Sequence, residues 1–372
     1  MHQVIVSPQH KRFVAVRPGS RGGMQLPRDR YEEVRDAVAA DSPPPTWFAE
    51  AAATAWGVDL AQAPASTTIL ARPETALNYS RATWEINKGC NFACDMCVVW
   101  RRPFAGLPME EKTKLLEMVR DTGVLWFQFT GGEPTIDPDF IESYRTAYGM
   151  GMMLEILTNG SRLDHRPTLE VLTELPPHKV TVSLYGATAE TFEALTRTRG
   201  AYRKVIRGLK AARAAELPLE LSLIVTEHNA HEVEDMKALA DNLDIPHKVF
   251  ANISPSYDGD KGPLDFQVTE YINREEVFRG CPAGHTFYHL DPFGSATMCK
   301  VGRENPINLM STGVGGLRDL PLIADAQMLR TGGCSGCKLS GSCRVCRPLA
   351  KLYQQAEAPL SNYCQHGFKE DS

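Results

Sequence analysis

Six short apolar, β-rich runs alternate with longer stretches of helical periodicity between residues 82 and 253. This alternation is typical of repeated βα units around a parallel sheet. We therefore predict an α/β fold, a partial (β/α)6 TIM-like barrel, whose functional groups lie on the loops that follow the carboxyl ends of the strands. The predicted strands are Ala82–Asn87, Leu125–Thr130, Met153–Thr158, Lys179–Tyr185, Leu219–Thr226 and Lys248–Ile253.

Start signals mark several of the helices between these strands. Pro108 stands ahead of Glu110 and Glu111, as expected for the first turn of a helix. Asn229 is followed three residues later by Glu232, and this spacing predicts a capping box at the start of the helix after the fifth strand.

Two further regions flank the predicted barrel. Residues 1–80 contain a strand-like stretch at Gln3–Val16 and helical stretches at Asp29–Ala39 and Trp47–Trp56, which predicts a small α+β region. From about residue 266, cysteine and glycine become frequent and regular periodicity falls, as expected where clusters replace a hydrophobic core. The predicted domains are residues 1–80, 81–265 and 266–372.

Composition and charge limit the function classes. The chain has 372 residues and 43% apolar content, which suits a globular protein of two or three domains. Its net charge of −5 comes without clustered Lys/Arg or long acidic runs, which argues against nucleic acid and membrane partners. No apolar run approaches the ~20 residues that span a bilayer, and no signal-peptide pattern begins the chain, so we expect a cytoplasmic protein. Ten cysteines in that compartment indicate metal or cluster ligation rather than disulfides.

Three cysteines, Cys90, Cys94 and Cys97, follow the first predicted strand in a CxxxCxxC pattern. Cysteine thiolates are the usual ligands of iron–sulfur clusters, and three of them hold a four-iron cluster while leaving one iron for an exogenous chelating molecule. The alternatives are three unrelated thiols or a zinc site, although zinc usually takes four ligands from CxxC pairs. The triplet therefore predicts a cluster with one reactive iron.

The triplet resembles the motif of the radical S-adenosylmethionine (SAM) enzymes, which usually have an aromatic residue before the last cysteine. Met96 takes that position here, and its flexible thioether suits the same packing against adenine. Gly131, Gly132 and Glu133 begin a GGEP sequence that resembles the family's second motif, which holds the amino group of SAM. The resemblance implies a 4Fe–4S cluster and SAM as cofactors, and a 5′-deoxyadenosyl radical that takes a substrate hydrogen atom.

Further positions match places where this family contacts the carboxylate and ribose of SAM. Thr158 and Asn159 follow the third predicted strand, and Ser183 lies on the fourth. Arg197 and Arg199 lie where related enzymes place an arginine for the cofactor carboxylate. An Asn-Gly turn, a strand serine and surface arginines also occur without any ligand, so both interpretations stay open here.

The seven remaining cysteines resemble the SPASM extension of radical enzymes that modify peptides and proteins. Their order and most spacings agree with it, but two residues instead of three separate Cys343 from Cys346. The resemblance implies two auxiliary iron–sulfur clusters, one with four cysteine ligands and one with three, whose fourth position is open or filled by another residue. The two sets are Cys334, Cys337, Cys343 and Cys364, and Cys281, Cys299 and Cys346.

A structural zinc ribbon is the alternative for this region, because two of its cysteine pairs have CxxC spacing. Such a ribbon leaves three of the seven cysteines unexplained. His285, His289 and His366 lie near the cysteines in sequence and are candidates to ligate or tune a cluster, with an ordinary structural role as the alternative for each.

Auxiliary clusters suit an oxidation, because a second electron must leave the substrate after the hydrogen atom is taken. We therefore predict oxidative modification of a ribosomally made peptide, with a crosslink as the expected product, by a radical SAM maturase of the SPASM type. One rival is dehydrogenation or epimerisation of a small molecule such as an aminocyclitol or sugar. The rival from another class is a non-enzymatic iron–sulfur or zinc protein. Because all ten cysteines are assigned, no spare thiol is left to quench a radical as an epimerase would.

The expected partners are a precursor peptide and an electron donor of the ferredoxin or flavodoxin type. Related peptide-modifying enzymes often carry a leader-peptide recognition domain at this end of the chain, which makes residues 1–80 a candidate; simple packing against the barrel is the alternative. Tyr257, Asp258 and Asp260 follow the sixth predicted strand and are catalytic candidates by position alone.

Overall fold

A computed structural model describes residues 2–99, 104–271 and 277–364 of the protein. The N-terminal part is a four-stranded sheet covered by helices, in agreement with the predicted α+β region. The strand-like stretch predicted at Gln3–Val16 is a hairpin, because the polar turn around His10 adopts a positive φ of 55° and reverses the chain. The strand order is β3-β2-β1-β4. The elements are β1 Val4–Gln9, β2 Arg12–Val16, β3 Gly23–Leu26, α1 Arg28–Ala39, α2 Thr46–Trp56, α3 Ala65–Thr68 and β4 Ile69–Ala71.

Six parallel strands form one side of a second, nine-stranded sheet, from its edge strand inward, and consecutive strands are neighbours. Each agrees with its predicted strand to within three residues, so the prediction of a parallel α/β fold of partial-barrel type is confirmed. Their alternating apolar side chains form the main core of the protein. The strands are β5 Arg81–Glu85, β6 Trp126–Thr130, β7 Met153–Thr158, β8 Lys179–Leu184, β9 Leu219–Ile224 and β10 His247–Phe250.

Amphipathic helices join these strands and cover the sheet. Their buried positions recur at helical spacing, as in Leu115, Leu116 and Val119 of the first one. Two helices rather than one lie between β8 and β9. The helices are α4 Met109–Asp121, α5 Phe140–Gly149, α6 Arg166–Glu174, α7 Ala189–Thr196, α8 Ala201–Ala214 and α9 Val233–Asn242.

The sheet and its core continue past residue 266, where the sequence predicted a loss of regular structure. A seventh parallel strand pairs with β5, and its Tyr288 and Leu290 are fully buried. Gly294 turns the chain into an antiparallel hairpin with a φ of +79°, a conformation that glycine adopts without strain. The strands are β11 Phe287–Leu290, β12 Ser295–Thr297 and β13 Ile307–Asn308. The division into domains at residue 265 stays a prediction.

The C-terminal part is rich in loops, and most of its cysteines lie between short helices. Its last helix is attached to the barrel because the hydroxyl of Tyr353 donates a hydrogen bond to the carbonyl oxygen of Ile253, 2.6 Å away. The helices are α10 Leu309–Thr312, α11 Leu320–Gln327 and α12 Arg347–Gln355. Within the part of the chain that the structure describes, no helix is both long and apolar enough to cross a membrane.

The predicted capping box at Asn229 and Glu232 is wrong. The Asn229 side chain donates to the carbonyl oxygen of Tyr185, at 2.8 Å, and Glu232 accepts from the backbone N–H of Ala187, at 2.7 Å. Both side chains therefore connect the loop after β8 to the start of α9. These side chains hydrogen-bond to that loop because its buried backbone groups, beyond the end of the strand, have no partner in the sheet.

A buried ion pair attaches α4 to the turn that follows β6. Lys112 is 2% exposed, and its Nζ lies 2.5 Å from a carboxylate oxygen of Asp137 and 2.9 Å from one of Asp139. Removing one partner of a buried pair leaves the other charge uncompensated in a dry environment.

We expect Lys112→Met to lower the free energy of unfolding by about 3–5 kcal/mol, because the Asp137 carboxylate is left buried without its cation. Urea denaturation followed by circular dichroism measures this change. Lys114→Met on the exposed face of the same helix is the matched control and leaves stability at the wild-type value. Equal stability of the two variants would contradict the assignment.

Candidate functional site

The loop that carries the cysteine triplet leaves the carboxyl end of β5 and is fixed against the end of α7. The backbone N–H groups of Ala93 and Asp95 donate to carbonyl oxygens of Thr196 and Leu195, at 3.0 and 3.2 Å. The loop is therefore held in place by its backbone, which leaves the thiols available for other contacts.

The three thiols of the triplet lie near one another. Burial raises the pKa of Cys94 well above its ordinary value, and the neighbouring thiols of Cys97 and Cys90 raise it further. The pKa of Cys90, an exposed residue, is also raised, to about 12, by partial desolvation of its thiol and by the Glu133 charge. Thiols in such a place become thiolates only when a positive charge is brought to them, as a coordinated metal does.

The GGEP turn after β6 packs directly on the backbone that leads into the triplet. The N–H of Gly132 donates to the carbonyl oxygen of Asn87, at 3.1 Å, and that of Glu133 to Gly89, at 2.8 Å. A Cβ on Gly131 would lie 2.4 Å from the Asn87 oxygen, and one on Gly132 would lie 2.0 Å from the Gly89 oxygen. Two glycines are therefore required here because the two loops touch through their main chains.

The carboxylate of Glu133 is fully buried and ties the end of β6 to the end of β7. It accepts hydrogen bonds from the hydroxyls of Thr135 and Thr158, at 2.5 and 2.7 Å, and from the backbone N–H of Asn159, at 2.7 Å. Burial raises the pKa of Glu133, although these hydrogen bonds act in the opposite direction. Its role towards the amino group of SAM stays a prediction, because both oxygens already accept from protein groups.

Asn159 extends from β7 to the triplet. Its Nδ2 donates to the side chain of Asn91, at 2.8 Å, and lies 3.8 Å from the sulfur of Cys90. Asn91 in turn donates to the hydroxyl of Ser161, at 2.8 Å. Of the two residues predicted after the third strand, Asn159 thus contacts the triplet, whereas the hydroxyl of Thr158 donates its hydrogen bond to Glu133.

Tyr185 is a site residue that the sequence analysis missed. It packs with Met96 and Ile253 beside the triplet, and burial together with the Cys94 thiol raises its pKa well above the ordinary value. The hydroxyl of Ser183 interacts with its phenol group. The only signal in the sequence was its place at the carboxyl end of a predicted strand.

The two arginines predicted near the cofactor carboxylate lie at the surface. Arg197 has a φ of 48°, and its Nε donates to a carboxylate oxygen of Asp95, within the triplet loop, at 2.6 Å. Arg199 is exposed. The choice between them as a SAM contact stays a prediction.

The thiols of Cys281, Cys299 and Cys346, here called the proximal set, lie close to one another. Burial raises the pKa of Cys346 to about 11, and the thiols of Cys299 and Cys281 contribute to that shift. Burial and the Cys281 thiol also raise the pKa of Cys299. These are the three cysteines that the SPASM resemblance assigns to one auxiliary cluster.

The distal set consists of Cys334, Cys337, Cys343 and Cys364. Burial raises the pKa of Cys334, and the three other thiols of the set act on it in the same direction. These are the cysteines that the resemblance assigns to the second auxiliary cluster. The structure thus separates the seven cysteines into two groups, and ligation by each group stays a prediction.

Positively charged side chains surround the distal set. Arg347 donates to the sulfur of Cys343 at 3.0 Å; burial alone would raise the pKa of this thiol, but the hydrogen bond and charge of Arg347 lower it instead. Gln354 donates to the sulfur of Cys334 at 3.5 Å. The Nη2 of Arg330 is buried and has no hydrogen-bond partner among the described residues.

A network of charged and polar side chains lies near both the triplet and the proximal set, and no sequence motif marks it. It consists of Glu85, His289, Arg303, Lys300 and Tyr257, and we call it the partition. Arg303 binds Glu85 through both Nη atoms, at 2.6 and 3.3 Å, and lies 4.2 Å from the centre of the Tyr257 ring. Burial alone would raise the pKa of Glu85, but the His289 hydrogen bond and the Arg303 charge hold it well below its usual range.

Tyr257 is the one of the three positional candidates that faces the cysteines. Its hydroxyl interacts electrostatically with both Cys97 and Cys299, and burial raises its pKa. Asp258 and Asp260 are exposed, and Asp260 accepts a hydrogen bond from a backbone N–H of its own turn. Catalytic roles for these residues stay predictions.

The histidines near the cysteines in sequence are not all near them in space. His285 is exposed and lies 2.9 Å from a carboxylate oxygen of Asp325, and His289 belongs to the partition. His366 lies outside the described residues. Among residues 2–99, 104–271 and 277–364, no three Cys, His, Asp or Glu side chains converge on a single-ion site.

The family model of the radical SAM superfamily matches residues 84–240. That segment runs from within β5 into α9 and carries the triplet, the GGEP turn and Asn159. Residues 84–240 are a radical SAM domain. The match implies SAM and a 4Fe–4S cluster as the cofactors of this domain. The raised pKa values of the triplet thiols fit this requirement, because a bound cluster supplies the positive charge that thiolates need there.

Two curated relatives are similar to part of this chain. Mycofactocin maturase MftC of Mycobacterium ulcerans is 31% identical over 241 residues, which are 59% of this chain and 63% of that protein. PqqA peptide cyclase of Gluconobacter oxydans is 28% identical over 162 residues, or 43% of this chain and 45% of that protein. The chain therefore spans less than two thirds of the length of either relative.

The likeness to solved structures extends beyond the radical SAM domain. SuiB of Streptococcus suis, bound to SAM, is 15% identical with a TM-score of 0.61, covering 98% of this chain and 99% of that chain. SuiB bound to its precursor peptide SuiA superposes with a TM-score of 0.59 at 15% identity, over 92% and 93% of the two chains. The whole described chain thus shares its fold with SuiB.

We expect Gly132→Ala to lower the iron bound after anaerobic reconstitution by about four atoms per chain, because the added Cβ displaces the loop of the radical SAM domain that carries Cys90. Iron analysis together with circular dichroism measures this loss in folded protein. Gly149→Ala is the matched control, since its Cβ meets no atom within 4 Å. Wild-type iron content in folded Gly132→Ala would contradict the proposed contact.

Proposed function

We propose that this protein is a radical SAM enzyme that oxidatively modifies a ribosomally made peptide, with a crosslink as the expected product. The arrangement of the cysteines supports this most strongly: a triplet in a radical SAM domain, followed across the partition by the proximal and distal sets. An oxidation by this chemistry must release a second electron from the substrate, and the two sets offer a route for it.

Cys90, Cys94 and Cys97 would hold the radical cluster. When bound and reduced, the cluster and SAM supply a 5′-deoxyadenosyl radical that removes a hydrogen atom from the substrate. The chain's own residues hold the surrounding loops rigid, chiefly through the buried Glu133, and Tyr185 contributes an apolar surface beside the triplet. The residues that would contact SAM are Met96, Gly131, Gly132, Glu133, Thr158, Asn159, Ser183 and either Arg197 or Arg199.

The distal set would hold one auxiliary iron–sulfur cluster, and the proximal set another. Anionic clusters suit the surroundings of the distal set, because Arg347 already donates to a sulfur and the orphaned Nη2 of Arg330 lacks an acceptor. The proximal set has three thiols and no fourth cysteine. The Nε2 of His285 lies 2.9 Å from a carboxylate oxygen of Asp325, so its other ring nitrogen, Nδ1, is the one left as a candidate ligand.

The electrons and hydrogens balance for a two-hydrogen oxidation. One electron is consumed when SAM is cleaved, and one is released when the substrate loses its second hydrogen as a proton and an electron. The peptide therefore loses two hydrogens for each SAM consumed. A ferredoxin- or flavodoxin-type protein would supply the first electron, and a reducing cytoplasmic setting suits ten free cysteines.

We further propose that residues 1–80 recognise the peptide, while residues 81–265 carry the radical chemistry and residues 266–372 hold the auxiliary clusters. Among the described strands β3 is an edge strand that pairs with β2, so its outer edge presents backbone groups that no described strand pairs with. Extended peptides bind such edges as an added strand. The printed names of PqqA peptide cyclase and of SuiB with its precursor peptide support a peptide substrate.

Mass spectrometry of a precursor peptide tests this function. Reconstituted protein, SAM and dithionite are incubated anaerobically with a short peptide encoded beside the gene, and the expected result is a loss of about 2 Da. Unmodified peptides together with an oxidised sugar or aminocyclitol would favour the small-molecule alternative. Intact SAM under reducing conditions would favour a non-enzymatic iron–sulfur or zinc protein.

Replacing Cys90, Cys94 and Cys97 together by alanine should abolish formation of 5′-deoxyadenosine, because the fourth iron that binds SAM is lost with the cluster. Chromatography of the reduced reaction mixture measures this product. The matched control replaces Cys334, Cys337 and Cys343, which should remove an auxiliary cluster but leave SAM cleavage in place. Cleavage by the first variant would refute the assignment.

Arg347→Met should shift the reduction potential of one cluster to a more negative value, because a cationic donor to a cluster sulfur stabilises the reduced state. Potentiometric titration followed by electron paramagnetic resonance measures the shift, and Arg347→Lys should restore part of it. An unchanged potential in Arg347→Met would show that the contact with Cys343 has no electronic role.

A further inference from the structure

The exposed face of α8 is entirely cationic. The helix has 14 residues, which include five lysines or arginines and no aspartate or glutamate, although the whole chain has a net charge of −5. All five cations are exposed, and their spacing places them on the side of the helix opposite its buried residues. They form no run in the sequence, so only the folded helix brings them together. We call them the basic face: Arg203, Lys204, Arg207, Lys210 and Arg213.

Most of this charge is not neutralised by neighbouring groups. Two of the five cations are paired, Arg207 with Asp164 and Arg213 with Asp244. Among the residues that the structure describes, no carboxylate pairs with the other three cations, which are Arg203, Lys204 and Lys210. The basic face therefore presents a net positive charge to solvent, and such a surface attracts an anionic partner.

The basic face lies on the outer side of a helix whose inner side packs next to the triplet. Gly208, on that inner side, touches the turn that follows β7, because a Cβ on it would lie 2.3 Å from the carbonyl oxygen of Gly160. Asn159, the residue before Gly160, has its Nδ2 3.8 Å from the sulfur of Cys90. One helix, about 10 Å thick with its side chains, and one turn thus separate the basic face from the triplet.

The segment that leads into α8 contacts the triplet loop as well. The carbonyl oxygens of Leu195 and Thr196 accept hydrogen bonds from that loop, and Arg197 donates to Asp95 at 2.6 Å. Cys90 is the exposed member of the triplet. A protein that docks on the basic face would therefore come close to a cluster held by the triplet.

We propose that the basic face docks the acidic protein that reduces the radical cluster. This inference rests on the proposed function, which requires one electron from a ferredoxin- or flavodoxin-type donor to cleave SAM. Proteins of these two types are acidic, so their charge is complementary to that of the basic face. One electron passes from the reduced donor to the cluster at the triplet, and no bond forms or breaks in that step.

An electron donor suits this surface better than the peptide substrate does. The face is convex and lies outside the barrel, where an electron has one helix and one turn to cross, whereas a substrate must enter the site itself. Complexes of electron carriers bury little area and depend on charge, and α8 has no large exposed apolar side chain. Electrons would then enter beside the triplet and leave through the proximal and distal sets.

Binding and reduction by a bacterial flavodoxin test this inference. Fluorescence anisotropy measures the dissociation constant of labelled, oxidised flavodoxin for the reconstituted, unreduced protein at low and at high ionic strength. Formation of 5′-deoxyadenosine is measured separately with reduced flavodoxin and with dithionite, a small reductant that requires no docking surface.

The test variant reverses the charge of the three unpaired cations: Arg203→Glu, Lys204→Glu and Lys210→Glu. The matched control makes the same change in net charge at exposed positions of α4 and α5: Lys114→Glu, Arg120→Glu and Arg145→Glu. Circular dichroism verifies that both variants are folded.

We expect the test variant to raise the dissociation constant of flavodoxin at least about tenfold at low ionic strength, because three attractive charges become repulsive. SAM cleavage with limiting flavodoxin should slow by a similar factor. Its dithionite-driven rate, and all values of the control variant, should stay within about twofold of wild type. High ionic strength should remove most of the difference in affinity, since salt screens exposed charges.

Wild-type affinity of the test variant for flavodoxin would overturn the inference, as would wild-type protein that flavodoxin neither binds nor reduces. A test variant that loses affinity for the precursor peptide but not for flavodoxin would assign the basic face to the peptide instead. In each of these cases, dithionite-driven SAM cleavage by the wild-type protein keeps the proposed function intact. Wild-type protein that cleaves no SAM with either reductant overturns the proposed function and this inference together.

Discussion

The buried carboxylate of Glu133 organises the radical SAM domain. It joins the ends of β6 and β7, and its backbone N–H joins the same turn to the segment that carries Cys90. A buried carboxylate is tolerated only when it is well satisfied by hydrogen bonds, and this one accepts from two hydroxyls and two backbone N–H groups. Because Gly131 and Gly132 have no side chains, the main chains of the two loops touch, and the triplet takes its position from that contact.

The partition gives the three groups of cysteines a spatial order. Tyr257 lies close enough to Cys97 and Cys299 for both thiols to act on its phenol group, so the triplet and the proximal set are its neighbours. The distal set is attached to the proximal set by the short stretch from Cys343 to Cys346. A substrate oxidised at the partition would therefore have an electron route that leads away from the radical cluster. The positive charge of Arg347, which contacts Cys343, would favour an electron at the distal set, the far end of that route.

Sequence alone predicted those features that depend on local pattern. The six strands follow from alternating apolar runs, whereas the grouping of the C-terminal cysteines came from the resemblance to the SPASM extension. Strand β11 was missed because its four residues lie in a segment rich in glycine and cysteine. The capping box failed because Asn229 and Glu232 are used by unpaired backbone groups of another loop. The partition could not be predicted from the sequence, because Glu85 and Arg303 are 218 positions apart and meet only in the folded chain.

We propose that the ten cysteines hold three separate iron–sulfur clusters on one folded chain. Anomalous diffraction at the iron absorption edge, from crystals of the reconstituted protein, measures this most directly. We expect three iron sites, one at the triplet and one at each of the proximal and distal sets, with the partition near the first two. A zinc signal at the CxxC pairs, with no iron at the proximal set, would contradict it.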